Sequence, residues 1–232
     1  MARIDDLPVG PPRFTMAYRL VSSRYPPVGI FDQLVDADEL DTLHAIEART
    51  NDRLSDDLGL LGLVEPGDRI VGAGTTPVMA AFTHPNPDGS RFSDGRFGVY
   101  YCAASSHTAI RESAHHRARF LRATKEAGCQ VEMRQYIGKI QRPLHDGLDG
   151  RLGTEVLDPE SYAAGQALGA ALRQAQSWGL SYPSVRDPGG QCAALFRPPA
   201  MSAVRQSKHF SFHFDGQRIV SVVELGKHTH LP

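Results

Sequence analysis

The chain has 232 residues, enough to bury a proper core without metal or disulfide staples, and a single domain is the default expectation. Hydrophobic residues make up 41% and charged residues 22%, as in ordinary globular proteins, and a net charge of -1 gives no whole-molecule attraction to nucleic acid or to an anionic membrane. Cys102, Cys129 and Cys192 are an odd number without CxxC spacing, which argues against a disulfide framework or a thiolate zinc site and favours buried, inert thiols.

Residues 1–13 are rich in proline and charge and read as a loose lead-in without the apolar core of a secretion signal. The stretch "IVGAGTTPVMAAF" is too short, and too broken by Gly72, Gly74 and Pro77, to span a bilayer. A cytoplasmic location is the expectation. "AYRLVSSRYPP" reads as a short strand carrying Arg19 and ended by two prolines. Over residues 31–61 the aliphatics Leu40, Leu43 and Ile46 share one helical face, so a helix is expected there with a break near Thr50 and Asn51. "THPNPDGS" is a loop and "FGVYYCAA" a strand. Residues 107–125 read as a helix with Ile110, Ala114, Phe120 and Leu121 inward and Glu112 in its first turn. "QVEMRQYIGKIQRPL" follows as a strand, "ESYAAGQALGAALRQAQSWG" as a helix ending at Gly179, and "LSYPSV" and "CAALF" as strands on either side of the turn "RDPGGQ". "KHFSFHF" and "RIVSVVEL" close the chain as a hairpin about Asp215 and Gly216, and "KHTHLP" is a tail. The resulting boundaries are 1–17, 18–225 and 226–232. Strands dominate the second half without a βαβ rhythm, which predicts an α+β fold over a doubly wound sheet.

Familiar chemical signatures are absent. Gly72 and Gly74 give GxG, but the third position of a dinucleotide fingerprint is Pro77, and no GxxxxGK[ST] occurs. Glu112, His115 and His116 share a helix without HExxH or HxxEH spacing, and adjacent histidines point about 100° apart, so solvated helix-face histidines are expected. Ser184 lacks both glycines of the GxSxG elbow and, on spacing alone, is a turn hydroxyl. Trp178 reads as core, and Arg186 and Arg197 as surface charges beside the turn. That leaves "GSRFSDGRFGVYYCAASSHTAIRES", residues 89–113, where Arg91, Arg96, Tyr100, Tyr101 and Glu112 crowd around short apolar runs. By structure alone this is an ordinary strand and helix unit.

In its ordered landmarks, however, the sequence resembles the RES-domain family, toxins of bacterial toxin–antitoxin pairs. The family pattern is a GGRWN-like loop, a strand ending in tyrosine, an ALxE-like helix start and a later VPS-like strand end. Here "GSRFS" supplies Arg91, Tyr101 lies ten residues on, Glu112 in "TAIRE" eleven beyond that, and "SYPSVR" supplies Ser184. "YRLVSSRYPP" is similar to the family's opening strand and supplies Arg19. Phe92 stands for Trp, Ser93 for Asn and Ser90 for the second Gly. The resemblance runs from about Tyr18 to Phe214.

It implies a single domain with an ADP-ribosyltransferase-like, mixed and largely antiparallel β core surrounded by helices. It also implies NAD as substrate rather than cofactor, with inorganic phosphate as a possible co-substrate and no metal. Arg91, Tyr101 and Glu112 would be catalytic, and Arg19, Arg91, Tyr101 and Ser184 would contact substrate. Glu112 would stabilise positive charge developing on the ribose as nicotinamide leaves. Arg91 and Arg19 would face phosphate, Tyr101 would stack beside nicotinamide or ribose, and Ser184 would add a hydroxyl contact. The resemblance leaves open NAD breakdown by phosphorolysis or hydrolysis, ADP-ribosylation of a metabolic protein, and a partner-binding subunit with a vestigial pocket. It further implies a helix-turn-helix, Xre-type antitoxin as partner and a homodimer, with no direct binding to nucleic acid or membrane.

Overall fold

The computed structural model describes residues 4–25, 29–34, 36, 39–40 and 59–226. The strands are β1 (Val9–Gly10), β2 (Met16–Ser22), β3 (Tyr100–Ala103), β4 (Cys129–Lys139), β5 (Leu144–Asp146), β6 (Gly179–Pro183), β7 (Gln191–Leu195), β8 (Arg205–Phe214) and β9 (Ile219–Leu225). Among the described residues they form one sheet in the order β1-β5-β6-β7-β3-β2-β4-β8-β9. Every neighbouring pair is antiparallel except β5 with β6, so the sheet is mixed and largely antiparallel. The helices are α1 (Ile30–Gln33), α2 (Thr76–Thr83), α3 (Ser106–Ala123) and α4 (Ala163–Gln174). The fold is α+β, as the absence of a βαβ rhythm led us to expect.

Strand alternation divides the core into two layers. On one face Leu20, Met133, Ala194 and Phe212 of the sheet pack with Ala109 of α3 and with Leu168 and Leu172 of α4. On the other, Ala17, Tyr100, Tyr136 and Leu195 pack with Val78, Met79 and Phe82 of α2. Burial of each leucine, valine, methionine or phenylalanine among them stabilises the fold by roughly 1.5–3 kcal/mol. In β3 the alternation separates the two tyrosines: Tyr100 points into the α2 layer and Tyr101 into the α3/α4 layer.

Local signals set the helix ends. Ser105 caps α3, its hydroxyl accepting from Thr108 N at 3.0 Å, and Lys125 takes a left-handed φ of 56° just past the last turn. Glu112 is therefore in the second turn of α3, not the first, because the cap lies earlier than the apolar pattern alone indicates. The helix expected to run to Gly179 stops at Gln174; Gln176 turns left-handed with φ 55°, and Gly179 opens β6. The "GAGTT" loop before α2 receives a carboxylate from within the chain, Asp32 Oδ1 accepting from Gly74 N at 2.6 Å and Thr75 N at 2.9 Å. The hairpin turn at Asp215 is held by its Oδ1, which accepts from Gln217 N and Arg218 N, both at 2.8 Å.

Two expectations change. Residues 4–13 are not a loose lead-in: β1 pairs with β5, Leu7 is buried in the α3/α4 layer, and Arg13 bridges Asp146 and Asp149. Their proline and charge content serves a sheet edge rather than a free segment. Arg197 is no surface charge either, since its Nε and Nη2 make a two-pronged ion pair with the buried Asp68 at 2.6 and 2.7 Å and its guanidinium lies 3.9 Å from the Trp178 ring centroid. Of the helix expected over 31–61, Leu43, Ile46 and the break near Thr50 lie outside the described residues, as does the tail from residue 227. Among the described residues, no helix is long and apolar enough to cross a membrane.

Candidate functional site

The site is assembled on the α3/α4 face from the loop before β3, the middle of α3 and the loop after β6. The loop "GSRFS" folds as a tight turn, Ser90 N donating to Ser93 O at 2.7 Å. Phe92 is its anchor, fully buried, edge-on to Tyr182 with ring centroids 4.9 Å apart. Helix α4 seats the turn from below. A β-carbon at Gly165 or Gly169 would overlap the carbonyl oxygen of Arg91 or Phe92 respectively, so two glycines spaced i, i+4 let the helix backbone touch the loop. Gln166 between them donates its amide to Ser90 O at 3.2 Å.

Tyr101 braces the same turn. Its hydroxyl lies 2.8 Å from Ser90 Oγ and accepts from Phe92 N at 2.9 Å. Burial pushes the phenol up to about 12, so it stays neutral at physiological pH. With Phe92 and Ser90 fixed, Arg91 is directed to residues 156–162: its Nη1 donates to Val156 O at 3.1 Å and Asp158 O at 2.8 Å, and its guanidinium stacks 4.9 Å from the Tyr162 ring centroid. Only 8% of Arg91 is exposed, and among the described residues no carboxylate forms an ion pair with it.

Glu112 and Ser184 meet directly, 72 positions apart in the chain. Ser184 Oγ donates to Glu112 Oε1 at 2.5 Å, and Val185 N and Arg186 N donate to the same oxygen at 3.2 and 3.3 Å. Three donors on one oxygen fix the orientation of the carboxyl group. The loop is itself cross-braced, Asp187 N donating to Ser184 Oγ at 3.0 Å and Thr108 Oγ1 to Asp187 Oδ2 at 2.8 Å. Glu112 Oε2 has no hydrogen-bond partner among the described residues. The serine expected as a substrate contact is thus bonded to the carboxylate, and the two readings of Ser184, turn hydroxyl and site residue, both describe it.

Arginine side chains act on the two histidines that follow Glu112 in α3. His115 is pushed down to about 4, by burial first and then by Arg186 and His116. His116 is held below its ordinary value by crowding and by Arg186, Arg91 and Arg119; because the residue is exposed on the helix surface, the arginines are the firmer cause. Both imidazoles are therefore neutral near pH 7. The Cys192 thiol is pushed far up by burial and then by Glu112, which makes it a poor nucleophile. No group of three or more His, Cys, Asp or Glu suited to a metal ion occurs among the described residues.

The structure brings Arg91, Tyr101, Glu112 and Ser184 to one region and places Arg19 elsewhere. Arg19 alternates with Tyr18 and Leu20 in β2, so its side chain lies in the α2 layer, 4.6 Å from the Tyr100 ring centroid; it reaches Tyr101 only through that residue's carbonyl, at 3.0 Å. Reasoning from sequence missed Arg119, Tyr162, Arg186 and the Gly165/Gly169 pair. The glycines carried a signal, an i, i+4 pair inside a helix where each costs about 1 kcal/mol relative to alanine. Among the described residues, one hollow of about 250 Å³ lies beside Arg173 and Arg197, and another of about 470 Å³ lies beside Ser105 and Asp187, bordering the Ser184 loop.

A protein of Sinorhizobium fredii named uncharacterized protein y4oC is 29% identical over 216 residues, covering 87% of this chain and 84% of that one. Among solved structures, a chain of the crystal structure of the M. tuberculosis MbcT–MbcA toxin–antitoxin complex is similar with a TM-score of 0.47 at 11% identity, covering 90% of this chain and 88% of that one. The sequence model of the RES domain matches residues 68–215, more than half of the chain and the part that contains Arg91, Tyr101, Glu112 and Ser184, and the protein therefore belongs to the RES domain family.

Proposed function

We propose that this protein is the toxin of a toxin–antitoxin pair and cleaves NAD at the bond between nicotinamide and ribose. The observation that carries the reading is the carboxylate of Glu112, held at one oxygen by Ser184, Val185 and Arg186 and left with a second oxygen for a ligand. The leaving nicotinamide is a cationic pyridinium: as the C1–N bond breaks, its electron pair goes to the ring nitrogen, which departs neutral without a general acid. Positive charge then develops on the ribose, and a fixed carboxylate stabilises it. A phosphate or water oxygen forms the new bond at C1, and the proton lost from that acceptor passes to solvent. Arg91, unpaired with any described carboxylate, suits the phosphates of the substrate. Tyr101, with its hydroxyl committed to Ser90 and Phe92, acts in this reading as the brace that aims Arg91.

Nicotinamide release from NAD by the purified protein, with and without inorganic phosphate, tests the reading. Release by wild type and its loss in Glu112→Ala is the expected result. Release only in the presence of an acceptor protein would instead favour ADP-ribosylation, and unchanged growth inhibition by Glu112→Ala would defeat any catalytic reading. A helix-turn-helix antitoxin is the partner this reading calls for, covering the approach to Arg91 and Glu112.

A further inference from the structure

Two rungs of α3 are tied to the loop after β6. Glu112 takes the Ser184 hydroxyl, and Thr108, one turn earlier on the same side of the helix, donates from its Oγ1 to Asp187 Oδ2 at 2.8 Å. Asp187 N in turn donates to Ser184 Oγ at 3.0 Å, so helix and loop close a ring of hydrogen bonds through Thr108, Asp187, Ser184 and Glu112. Because the Thr108 proton goes to a carboxylate, the 2.9 Å contact with Ser105 Oγ is made with the Ser105 proton, while the same Ser105 oxygen accepts from Thr108 N as the helix cap. Thr108 is 2% exposed and the Asp187 side chain 16%, which keeps water from competing for the bond. The other carboxylate oxygen, Oδ1, faces His107 Nε2 at 3.5 Å. The helix start is fixed to the sheet as well: the buried Gln135 of β4 donates to Ser106 Oγ at 2.6 Å and accepts from Ser207 Oγ at 2.8 Å.

The chain leaves room for the Thr108–Asp187 bond. A β-carbon at Gly190 would stand 2.8 Å from Asp187 Oδ2, 2.8 Å from Thr108 Cγ2 and 2.9 Å from Thr108 Oγ1, closer than packed atoms tolerate. Gly190 N also closes the loop on Asp187 O at 2.8 Å. Capping of α3 is served by Ser105, so the contribution particular to Asp187 is to hold the loop against the helix. We propose that Thr108 and Asp187 are positioning residues for Glu112: they fix the Ser184 loop one turn ahead of the carboxylate and thereby set the direction of its Oε2. This rests on the reading of Glu112 as the carboxylate that faces the ribose. Neither residue bonds to Glu112; both act through Ser184 Oγ, Val185 N and Arg186 N, the three donors on its Oε1. A reacting group displaced by about 1 Å can lose on the order of a hundredfold in rate, so the aim of one carboxylate oxygen is worth two clamps.

Amide exchange and kinetics on the full chain test it, with Thr108→Val, Thr108→Ser and Gly190→Ala. Thr108→Val keeps the branched shape and removes the donor, whereas Gly190→Ala parts the pair without altering either member. Each should speed hydrogen exchange at Val185 N and Arg186 N about tenfold and lower kcat for nicotinamide release about tenfold at nearly constant KM. Thr108→Ser, which keeps the hydroxyl, should stay within about twofold of wild type in both measurements. A residue that serves stability alone would lower the melting temperature and leave kcat, measured well below it, unchanged. That result, or unchanged exchange at the two amides in both Thr108→Val and Gly190→Ala, would overturn the proposal. Failure of Thr108→Ser to restore kcat would overturn it too, by assigning the effect to the threonine methyl. If wild type releases no nicotinamide, the NAD reading falls, and exchange at Val185 N and Arg186 N still decides whether the pair holds the donors of Glu112.

Discussion

Replacing Ser184 with alanine separates two roles that a site serine can have. In the structure its hydroxyl donates to Glu112 Oε1 at 2.5 Å, a charge-assisted bond of the kind that contributes about 1.5–3 kcal/mol. Removing it leaves Val185 N and Arg186 N on the same oxygen at 3.2 and 3.3 Å, so the carboxylate stays in place but loses its shortest restraint. Because the pair is only partly buried, the lower half of that range applies, and kcat for nicotinamide release should fall about tenfold to thirtyfold. The hydroxyl also accepts from Asp187 N at 3.0 Å, and losing that bond should cost about 1 kcal/mol of stability, or roughly 2–4 °C in melting temperature. Steady-state kinetics on Ser184→Ala and Ser184→Thr, with melting curves for both, provide the assay. A positioning residue lowers kcat at nearly constant KM, and threonine, which keeps the hydroxyl, restores much of the loss. A rise in KM with kcat unchanged would refute this account and make Ser184 a direct substrate contact.

Tyr101→Phe should leave Phe92 N without its acceptor and release Ser90, costing about 1–3 kcal/mol of stability and weakening ADP binding through Arg91, as melting and calorimetry would record. Gly169→Ala forces a β-carbon into the Phe92 carbonyl, so α4 and the Arg91 loop must separate; destabilisation of about 1–3 kcal/mol in urea unfolding is expected, whereas alanine at the open Gly67 should be nearly neutral. Acid sensitivity should follow His115. Its folded value of about 4 lies below the ordinary 6.5, so the unfolded chain binds the extra proton first, and stability should fall as pH drops from about 6.5 to 4. Urea midpoints across that window should decline less steeply in His115→Gln. Neutralising Asp68 as asparagine should break the two-pronged pair with Arg197 and lower the melting temperature without changing the KM for NAD, since neither residue bonds to Glu112, Ser184 or Arg91.

What the sequence made legible follows the range of the interactions involved. Strand alternation in "FGVYYCAA" separates Tyr100 from Tyr101, and the structure sends them to opposite layers because that period is a property of the local backbone. The same rule, applied to "YRLVSSR", was enough to place Arg19 on the face away from Tyr101's phenol once β2 was known to lie beside β3, but strand order is a global property that no local pattern contains. Glu112 and Ser184 were identifiable only through the family's spacing, and their bond depends on a loop after β6 turning back to the middle of α3. The arginines divide in the same way. Arg91 stands in a motif, whereas Arg119 and Arg186 look like solvated charges until residues 156–162 bring Tyr162 and the Pro159 carbonyl between them. That segment has no periodic signal, and the chain's almost balanced charge hides the cluster, since unlike charges elsewhere cancel it in the total. Net charge sets the far field, and ligand recognition at a cleft responds to charges within about a Debye length, roughly 8–10 Å, so an almost neutral chain can still gather arginines at one site.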